Sequence, residues 1–203
     1  MEFPVSPLRL PVLESPRLRL RRLKLEDVPD VFQYNSDPEV VRYLLWTRHT
    51  SESETRADLQ RVIERYGKTS DLRWGIELKS TGHIIGGCKL ACRMEHKRAE
   101  VGYVLARPHW GQGYAAEAVR EIAHYGFEFL ELVRIEALTF AEHVMSGRVL
   151  DKCGFQVEGT LRSYELIKGN PTDLKMYSLL RSEFEAQSEK QKQNQMQNLE
   201  TQR

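Results

Sequence analysis

The sequence predicts a single domain of the α+β class, in which helices and strands both contribute to one core. The chain has 203 residues, of which 40% are hydrophobic, and this composition is ordinary for a folded domain. Alternating apolar residues predict strands, and apolar residues spaced by three and four predict helices; the two patterns are interleaved along the chain. Two of the strands are joined by a short turn, which predicts a hairpin.

The first predicted elements are a strand and a helix. In "RLRLRRL" (17–23) leucines alternate with arginines, which is the pattern of a half-buried strand. Its arginines form either a basic patch or the solvated face of the strand, and the second interpretation is favoured because acidic residues follow at once. A helix is predicted over "EDVPDVFQYN" (26–35). It should end before Asp37, because a residue that precedes proline avoids helical geometry.

A second helix and a hairpin follow. Ser51 and Glu54 have the spacing of a capping box at a helix start, and Gly67 marks the helix end. The predicted apolar stripe of this helix consists of Leu59, Val62, Ile63 and Tyr66. The segments "RWGIEL" (73–78) and "HIIGGCKL" (83–90) are then predicted as two strands, joined by the turn "KSTG".

The second half of the chain is predicted to contain four more strands and a tail. The strands are predicted at 99–106, 134–140, 155–161 and 175–180. The segment 186–203 is rich in Gln and Asn and has almost no apolar residues to bury. It is therefore predicted to be a frayed or disordered tail, and the domain to cover residues 1–185.

Charge and cysteine content narrow the classes of protein that the chain can belong to. The net charge is +1 at pH 7, which gives no general attraction to nucleic acid or to anionic membranes. No apolar run is long enough to span a membrane, and prolines and arginines interrupt the N-terminal segment, unlike in a signal peptide. Cys88, Cys92 and Cys153 lack CxxC spacing, and the histidines are scattered. We therefore expect a cytoplasmic, reducing location and no metal.

The segment "HWGQGYAAEA" (109–118) places two glycines between a predicted strand and a predicted helix. The first N–H groups of a helix lack intrahelical partners and lie at the positive end of its dipole, so such a turn binds anionic groups. Gly111 and Gly113 lack the Cβ atoms that would keep a diphosphate away from these donors. Glycines at such a turn also serve geometry alone, and the pattern by itself leaves both interpretations open.

Three longer segments together resemble the GNAT acyltransferase superfamily, and within it the RimJ/RimL-like protein N-acetyltransferases. The segment "ESPRLRLRRLKLEDV" (14–28) is similar to the opening strand and helix of that group. The segment "AEVGYVLARPHWGQGYAAEA" (99–118) resembles its fourth strand and acyl-CoA-binding turn, and "SGRVLDKCGFQVEGTLR" (146–162) its final motif. The resemblance covers residues 13–185. It implies a central, mostly antiparallel sheet that is splayed at a bulge between strands 4 and 5, with flanking helices.

The resemblance implies that acetyl-CoA is the co-substrate. Its pantetheine arm would bond to the backbone of the fourth strand, at Tyr103, Val104 and Leu105. Its pyrophosphate would bind the turn, whose residues are Gly111, Gln112, Gly113, Tyr114, Ala115 and Ala116. Trp110 stands where many members of the superfamily have Gln or Arg, as is common in the RimJ/RimL branch.

Candidate catalytic residues follow from the chemistry that the resemblance implies. Amide formation from a thioester needs a deprotonated amine, a polarised carbonyl and a stabilised thiolate. Glu100 is the candidate general base, with a salt bridge at the strand end as the alternative. Ser146 is the candidate acid, with a helix N-cap as the alternative. A backbone N–H near Val104 is the candidate for polarising the carbonyl.

Several further residues are secondary candidates. His143 replaces the Asn that the family has in the same segment; it can donate a hydrogen bond to a pantetheine carbonyl, with a packed or surface histidine as the alternative. Tyr164 and Glu165 are weaker candidates for acceptor contacts. Cys88 and Cys92 are not expected to act as nucleophiles, because transfer in this superfamily is direct and a buried cysteine usually serves packing.

The leading hypothesis is an acetyl-CoA-dependent N-acetyltransferase that acts on a primary amine, either a protein N-terminus or a small molecule. The alternative is a non-catalytic acyl-CoA-binding module with the same fold, and the departure at His143 is what supports it. The acceptor is expected to be chosen by the loops around 40–50 and 162–173. No nucleic-acid or membrane partner is expected, and both a monomer and a homodimer are compatible with the sequence.

Overall fold

A computed structural model describes residues 10–201 of the chain, and its strands form one eight-stranded sheet. The strands are Leu13–Glu14 (β1), Leu18–Arg21 (β2), Asp71–Leu78 (β3), Ile84–Arg93 (β4), Arg98–Leu105 (β5), Arg134–Phe140 (β6), Gln156–Ile167 (β7) and Asn170–Leu180 (β8). Their order in the sheet is β1-β2-β3-β4-β5-β6-β8-β7. Every neighbouring pair is antiparallel except β5 and β6, which are parallel. The predicted mixed α+β fold with a mostly antiparallel sheet is confirmed.

Helices flank this sheet. They are Val28–Asn35 (α1), Pro38–Val41 (α2), Glu52–Arg65 (α3), Tyr114–Glu128 (α4), Val144–Lys152 (α5) and Arg181–Thr201 (α6). The main core lies between the sheet and α4, whose buried face includes Ala118, Val119, Ile122 and Phe127. A smaller cluster that includes Val31, Tyr34 and Val40 lies where α1 and α2 meet the sheet. The predicted strands all form, and the short strand β1 is the one that the sequence patterns missed.

The sheet opens between β5 and β6. The two strands are paired from Arg98↔Arg134 to Glu100↔Glu136, and beyond Glu100 each continues without the other. This confirms the splay that the resemblance implied between strands 4 and 5 of the family, which correspond to β5 and β6 here. The bulge that it also implied is absent from the pairing of β5 with β4, whose register is unbroken from Arg93↔Arg98 to Gly86↔Leu105. The gap therefore forms because β5 and β6 diverge.

The predicted start of the second helix is confirmed at α3. Ser51 is the N-cap residue, and its Oγ accepts a hydrogen bond from the backbone N–H of Glu54 at 3.4 Å. The Glu54 carboxylate reaches back to the backbone N–H of Thr50 at 2.7 Å. In the predicted apolar stripe Leu59 is buried, whereas Val62 is only half-buried, because this side of α3 faces a cavity.

The arginines of residues 17–22 mostly lie on the predicted solvated face: Arg17, Arg19 and Arg22 are exposed, whereas Arg21 is half-buried. Arg21 forms ion pairs with Asp27, at 2.8 Å, and with Glu77, and its side chain is only 16% exposed. Arg17 and Arg19 also pair with carboxylates. Asp27, one of the acidic residues that follow this segment, is thus the partner of the half-buried Arg21, and the ion pairs offset the positive charge of this surface.

The C-terminal segment differs from the predicted disordered tail. Helix α6 continues to Thr201, so most of the segment 186–203 is helical. Its Gln, Glu and Lys residues are good helix formers, which low hydrophobicity alone does not reveal. The ring of Phe184 in its first turn stacks on Phe127, with 4.9 Å between centroids. The division of the chain at residue 185 stays a prediction, and residues 1–9 and 202–203 lie outside the described residues.

The sequence predicts neither a metal site nor a membrane-spanning helix, and the structure bears on both for residues 10–201. Within 10–201 no group of three or more His, Cys, Asp or Glu side chains is arranged to hold a metal ion. None of the helices in that range is both long and apolar enough to cross a bilayer. Cys88, Cys92 and Cys153 are unpaired and buried. The expectation that the protein needs no metal stays a prediction.

Candidate functional site

Two cavities meet at the gap between β5 and β6. The larger has a volume of about 550 Å³ and lies between the sheet and the α1–α3 side of the molecule. The smaller, of about 280 Å³, extends from the gap to the start of α4. Both are lined by the same six residues at their junction, namely Tyr43, Leu44, Tyr103, Val104, His143 and Ser146. A reaction between a group in one cavity and a group in the other can occur only at this junction.

The predicted anion-binding turn lies at the end of the smaller cavity. Gly111 and Gly113 have φ angles of 75° and 84°, a left-handed conformation that favours glycine. Gly113 is the N-cap of α4, so the first backbone N–H groups of this helix are directed at the cavity mouth. Of the six predicted turn residues, Gln112 is not part of the cavity wall. Its side-chain Nε2 instead donates to Pro108 O at 2.8 Å and braces the turn.

Arg17 contacts this turn from a distant segment of the chain, and the sequence analysis missed it. Its Nη1 donates to Gln112 O at 3.0 Å, and its guanidinium lies 4.3 Å from the centre of the Tyr114 ring. Its Nε donates to Oε2 of Glu117 at 2.7 Å, in the first turn of α4. Burial would raise the pKa of Glu117, but hydrogen bonds from Ser15 and Arg17 outweigh it, and the pKa lies below its ordinary value. Ser15 and Arg17, just before β2, thus hold the start of α4.

The backbone of β5 offers hydrogen-bonding groups to the gap. The N–H of Ala106 donates to Ile85 O in β4 at 2.8 Å. Because backbone groups alternate in direction along a strand, those of Val104 also face β4, and those of Tyr103 and Leu105 face the gap. The expectation that an N–H near Val104 polarises the thioester stays a prediction, and the N–H of Val104 itself is not the one that faces the gap. Trp110 Nε1 donates to Leu105 O at 2.8 Å, which leaves the N–H of Leu105 as the group nearest the turn that is directed at the gap.

Tyr103 and Ser146 are in contact across the gap. The Tyr103 hydroxyl lies 2.8 Å from Ser146 Oγ and 2.9 Å from Ser146 O. Burial raises the pKa of Tyr103 well above its usual range, so this hydroxyl keeps its proton. The alternative interpretation of Ser146 as an N-cap is wrong. Helix α5 begins at Val144, and its N-cap position is held by His143.

Glu100 lies in the wall of the larger cavity and is ion-paired. Its Oε1 accepts from Lys89 Nζ at 3.0 Å. The structure is therefore compatible with both interpretations of Glu100. Its carboxylate lines the cavity, where a general base would act, and it also forms a cross-strand salt bridge with Lys89. Its side chain is 38% exposed, so water and a substrate amine can reach it.

His143 belongs to the junction. Its ring stacks on Tyr43, with 4.3 Å between centroids, and lines both cavities. Burial lowers the pKa of His143 below its ordinary value, and the nearby Glu142 offsets only part of this effect. The imidazole is therefore neutral near pH 7 and can donate or accept one hydrogen bond there.

The two weaker candidates for acceptor contacts differ in whether they line the larger cavity. Glu165 is part of the wall of the larger cavity, whereas Tyr164 is exposed and is not. Of the two loops expected to shape the acceptor site, the one around 40–50 contributes Tyr43, Leu44, Leu45 and Trp46, and the one at 162–173 contributes Glu165.

Burial raises the pKa of the Cys88 and Cys92 thiols, which removes them as nucleophiles at neutral pH. The sequence analysis predicted helix α3 but missed that it lines this cavity, to which it supplies Asp58, Leu59, Arg61, Val62 and Arg65.

Comparison with known families gives one match that spans most of the chain. Residues 17–156 match the model of the acetyltransferase (GNAT) domain. This stretch begins at Arg17, which contacts the turn, and includes β5, the turn and Ser146. It therefore contains the junction of the two cavities.

Individual relatives extend over nearly the whole chain. The uncharacterized N-acetyltransferase p20 of Bacillus licheniformis is 42% identical over 173 residues, which cover 85% of this chain and 97% of that protein. The crystal structure of an acetyltransferase from T. thermophilus is 28% identical, covers 92% of this chain and 94% of its own, and has a TM-score of 0.76. A structure of RimL, the ribosomal L7/L12 alpha-N-protein acetyltransferase, in complex with coenzyme A is 23% identical and shares the fold, with a TM-score of 0.73 and coverage of 84% and 98%.

Proposed function

The chain belongs to the GNAT acetyltransferase family and is an acetyl-CoA-dependent N-acetyltransferase, and from this premise we propose that it moves the acetyl group directly to a primary amine at the junction of its two cavities. Coenzyme A occupies the smaller cavity, with its pyrophosphate at the turn of residues 111–116 and its pantetheine arm along β5. The amine occupies the larger cavity. The observation that carries this proposal is the meeting of the two cavities at Tyr103, His143 and Ser146.

The proposed reaction begins with deprotonation of the amine. Glu100 takes a proton from the ammonium of the acceptor, directly or through water, since it lies in the wall of the same cavity. The neutral nitrogen then attacks the thioester carbonyl carbon. The backbone N–H of Leu105, directed at the gap, stabilises the oxyanion that forms on the carbonyl oxygen.

Collapse of the intermediate completes the transfer. The C–N bond is kept, the C–S bond breaks, and the sulfur leaves with the electron pair. Ser146 donates its hydroxyl proton to this thiolate and recovers a proton from Tyr103, whose hydroxyl lies 2.8 Å away. The excess proton on the nitrogen passes through water to Tyr103 and restores its hydroxyl, and Glu100 releases to water the proton that it took first. The products are an N-acetylated amine and coenzyme A with a free thiol.

The acceptor is proposed at the level of a primary amine, either a peptide N-terminus or a small molecule. The peptide alternative is supported by the resemblance to the RimJ/RimL branch; the RimL structure with the same fold is that of a ribosomal-protein acetyltransferase. A cytoplasmic location is proposed because the three cysteines are reduced in the structure. The protein would act there as a monomer or a homodimer.

The proposal is tested by incubating the protein with acetyl-CoA and a panel of amines and peptides, followed by mass spectrometry. The expected result is a mass increase of one acetyl group on at least one acceptor, with release of an equal amount of coenzyme A. Tight binding of acetyl-CoA without turnover on any member of the panel would contradict it and favour a non-catalytic acyl-CoA-binding module.

A further inference from the structure

The wall of the larger cavity is charged unevenly. Its basic residues are Arg61, Arg65, Arg73 and Lys89, and its acidic residues are Asp58, Glu100 and Glu165. The four cations come from α3, β3 and β4. Glu165 comes from β7, which lies on the other side of the β5–β6 gap in the sheet order. The cavity therefore has a cationic end on the β3 side of the reaction centre.

Two of the cations are direct neighbours on the floor of this end. Arg73 and Lys89 are opposite each other in the pairing of β3 with β4, so their side chains lie on the same face of the sheet. Like charges in such a position destabilise a sheet unless a counter-charge is present. Gly102 in β5 is opposite Lys89, and a Cβ there would lie 2.7 Å from Lys89 Cε. The glycine leaves room for the lysine to lie flat in the cavity floor.

The carboxylates nearby do not fully balance these cations. Asp58 is engaged by His49 Nε2 at 2.9 Å and by Arg61, and Glu100 by Lys89. Arg73 pairs with Asp71 at 2.7 Å. The side chain of Arg65 is exposed and, among residues 10–201, forms no hydrogen bond or ion pair; its backbone O accepts from the N–H of Lys68. Three of the four cations thus have a carboxylate partner, and the excess positive charge of this end comes from Arg65.

We propose that the acceptor is a primary amine that carries a carboxylate, and that Arg65 and Arg73 bind this carboxylate while the amine lies at the gap. This inference rests on the proposed function and adds the chemical class of the acceptor. Neighbouring strands are about 4.8 Å apart, so β3 lies roughly 10 Å from β5. The carboxylate is therefore separated from the amine by several bonds, as in an ω-amino acid or in a peptide with an acidic residue near its N-terminus.

The test compares three amines with the same six-carbon chain: ε-aminocaproate, hexylamine and hexamethylenediamine. Their second ends are a carboxylate, a methyl group and an ammonium. We expect ε-aminocaproate to have the highest kcat/KM, roughly tenfold above hexylamine, with hexamethylenediamine lowest, because the excess positive charge at this end favours an anion and repels a cation. Binding of each amine to the protein saturated with coenzyme A, measured by calorimetry, should give the same order.

Substitution identifies the groups responsible. Arg73→Gln and Arg65→Gln should each reduce the preference for ε-aminocaproate over hexylamine several-fold. Arg56→Gln is the matched control, because Arg56 is an exposed residue of α3 outside the cavity wall, and it should keep the wild-type preference. Lys89 is not suitable for this purpose, since it also holds Glu100.

The outcomes separate this inference from the proposed function. Acetylation of hexylamine or hexamethylenediamine as efficiently as ε-aminocaproate overturns the carboxylate inference and leaves the acetyltransferase intact. Lack of turnover together with preferential binding of ε-aminocaproate supports the inference and contradicts the direct-transfer proposal. Equal binding of all three amines without turnover overturns both.

Discussion

The hydroxyl of Tyr103 lies 2.8 Å from Oγ of Ser146, across the opening between β5 and β6. A serine hydroxyl is a weak acid, and it can protonate a thiolate only if it regains a proton from elsewhere. The Tyr103 hydroxyl is held in its protonated form by burial, and it can donate to Ser146 Oγ while the serine hydroxyl points into the junction. In the proposed reaction the pair therefore acts as a chain of two donors for the sulfur of coenzyme A.

Ser146→Ala should lower kcat by roughly a hundredfold and leave the affinity for acetyl-CoA almost unchanged, because the hydroxyl acts when the thiolate forms. Since Ser146 lies inside α5 and does not cap it, the melting temperature should change little. Tyr103→Phe should also lower kcat, with Tyr164→Phe as the control at an exposed tyrosine outside the cavities. Steady-state kinetics and melting curves measure these effects; normal turnover in Ser146→Ala would exclude the serine as the acid.

Glu100→Gln should reduce the rate and remove the rising acid limb of the pH profile of kcat/KM, because the variant has no carboxylate that must lose its proton. The profile is recorded with one acceptor at several pH values. Glu95→Gln, at an exposed position outside the cavities, should retain the wild-type profile. If Glu100→Gln keeps the same acid limb, Glu100 serves only as the partner of Lys89.

Gly113→Val should weaken acetyl-CoA binding at least tenfold, which is about 1.4 kcal/mol, because the side chain would separate the pyrophosphate from the first N–H groups of α4. Backbone strain must be distinguished from this effect, since Gly113 has a φ of 84°. Gly67→Val is the matched control: Gly67 has a φ of 72°, open space around its Cβ position, and no part in either cavity. Calorimetric titration of both folded variants makes the comparison, and equal affinities would refute the assignment of the turn.

His143→Asn should make the protein less sensitive to acid. The pKa of His143 in the folded protein is lowered from an ordinary value of 6.5, so the stability that its neutral form contributes is complete above that pH and is lost as the pH falls. Protonation would also place a charge in the stack with Tyr43. Melting temperatures at about pH 7 and pH 5 should therefore differ less in His143→Asn than in the wild type. A variant at the exposed His96 should behave like the wild type; equal acid sensitivity in His143→Asn would show that other groups control it.

Truncation after Gln187 should leave activity and the melting temperature nearly intact, because it keeps the first turn of α6, whose Phe184 stacks on Phe127. Truncation after Leu180 should lower the melting temperature by several degrees. It removes Phe184 from its stack on Phe127 and Arg181, whose Nε donates to Leu132 O at 3.0 Å. Differential scanning calorimetry compares the two chains. A large loss in the shorter truncation would show that the end of the helix binds the domain or a partner.

Local patterns were sufficient for most of the fold. Leu18 and Leu20 alternate with arginines and are fully buried, and Ser51 caps α3 as its spacing to Glu54 predicts. The tail was the clearest error, because a lack of apolar residues indicates solvent exposure and does not distinguish a solvated helix from a coil. The short strand β1 was missed because two residues carry no period.

The sequence by itself determined the class of fold, the family, the turn at Gly111 and Gly113, and the candidates Glu100 and Ser146, since each depends on residues that are close together in the chain. Only the tertiary structure decided what these residues contact. Tyr103 meets Ser146, Arg17 meets Glu117, and Arg73 lies beside Lys89 because of strand register, strand order and the opening between β5 and β6. Such contacts between distant segments arise from the packing of whole elements, and no local periodicity or spacing contains them.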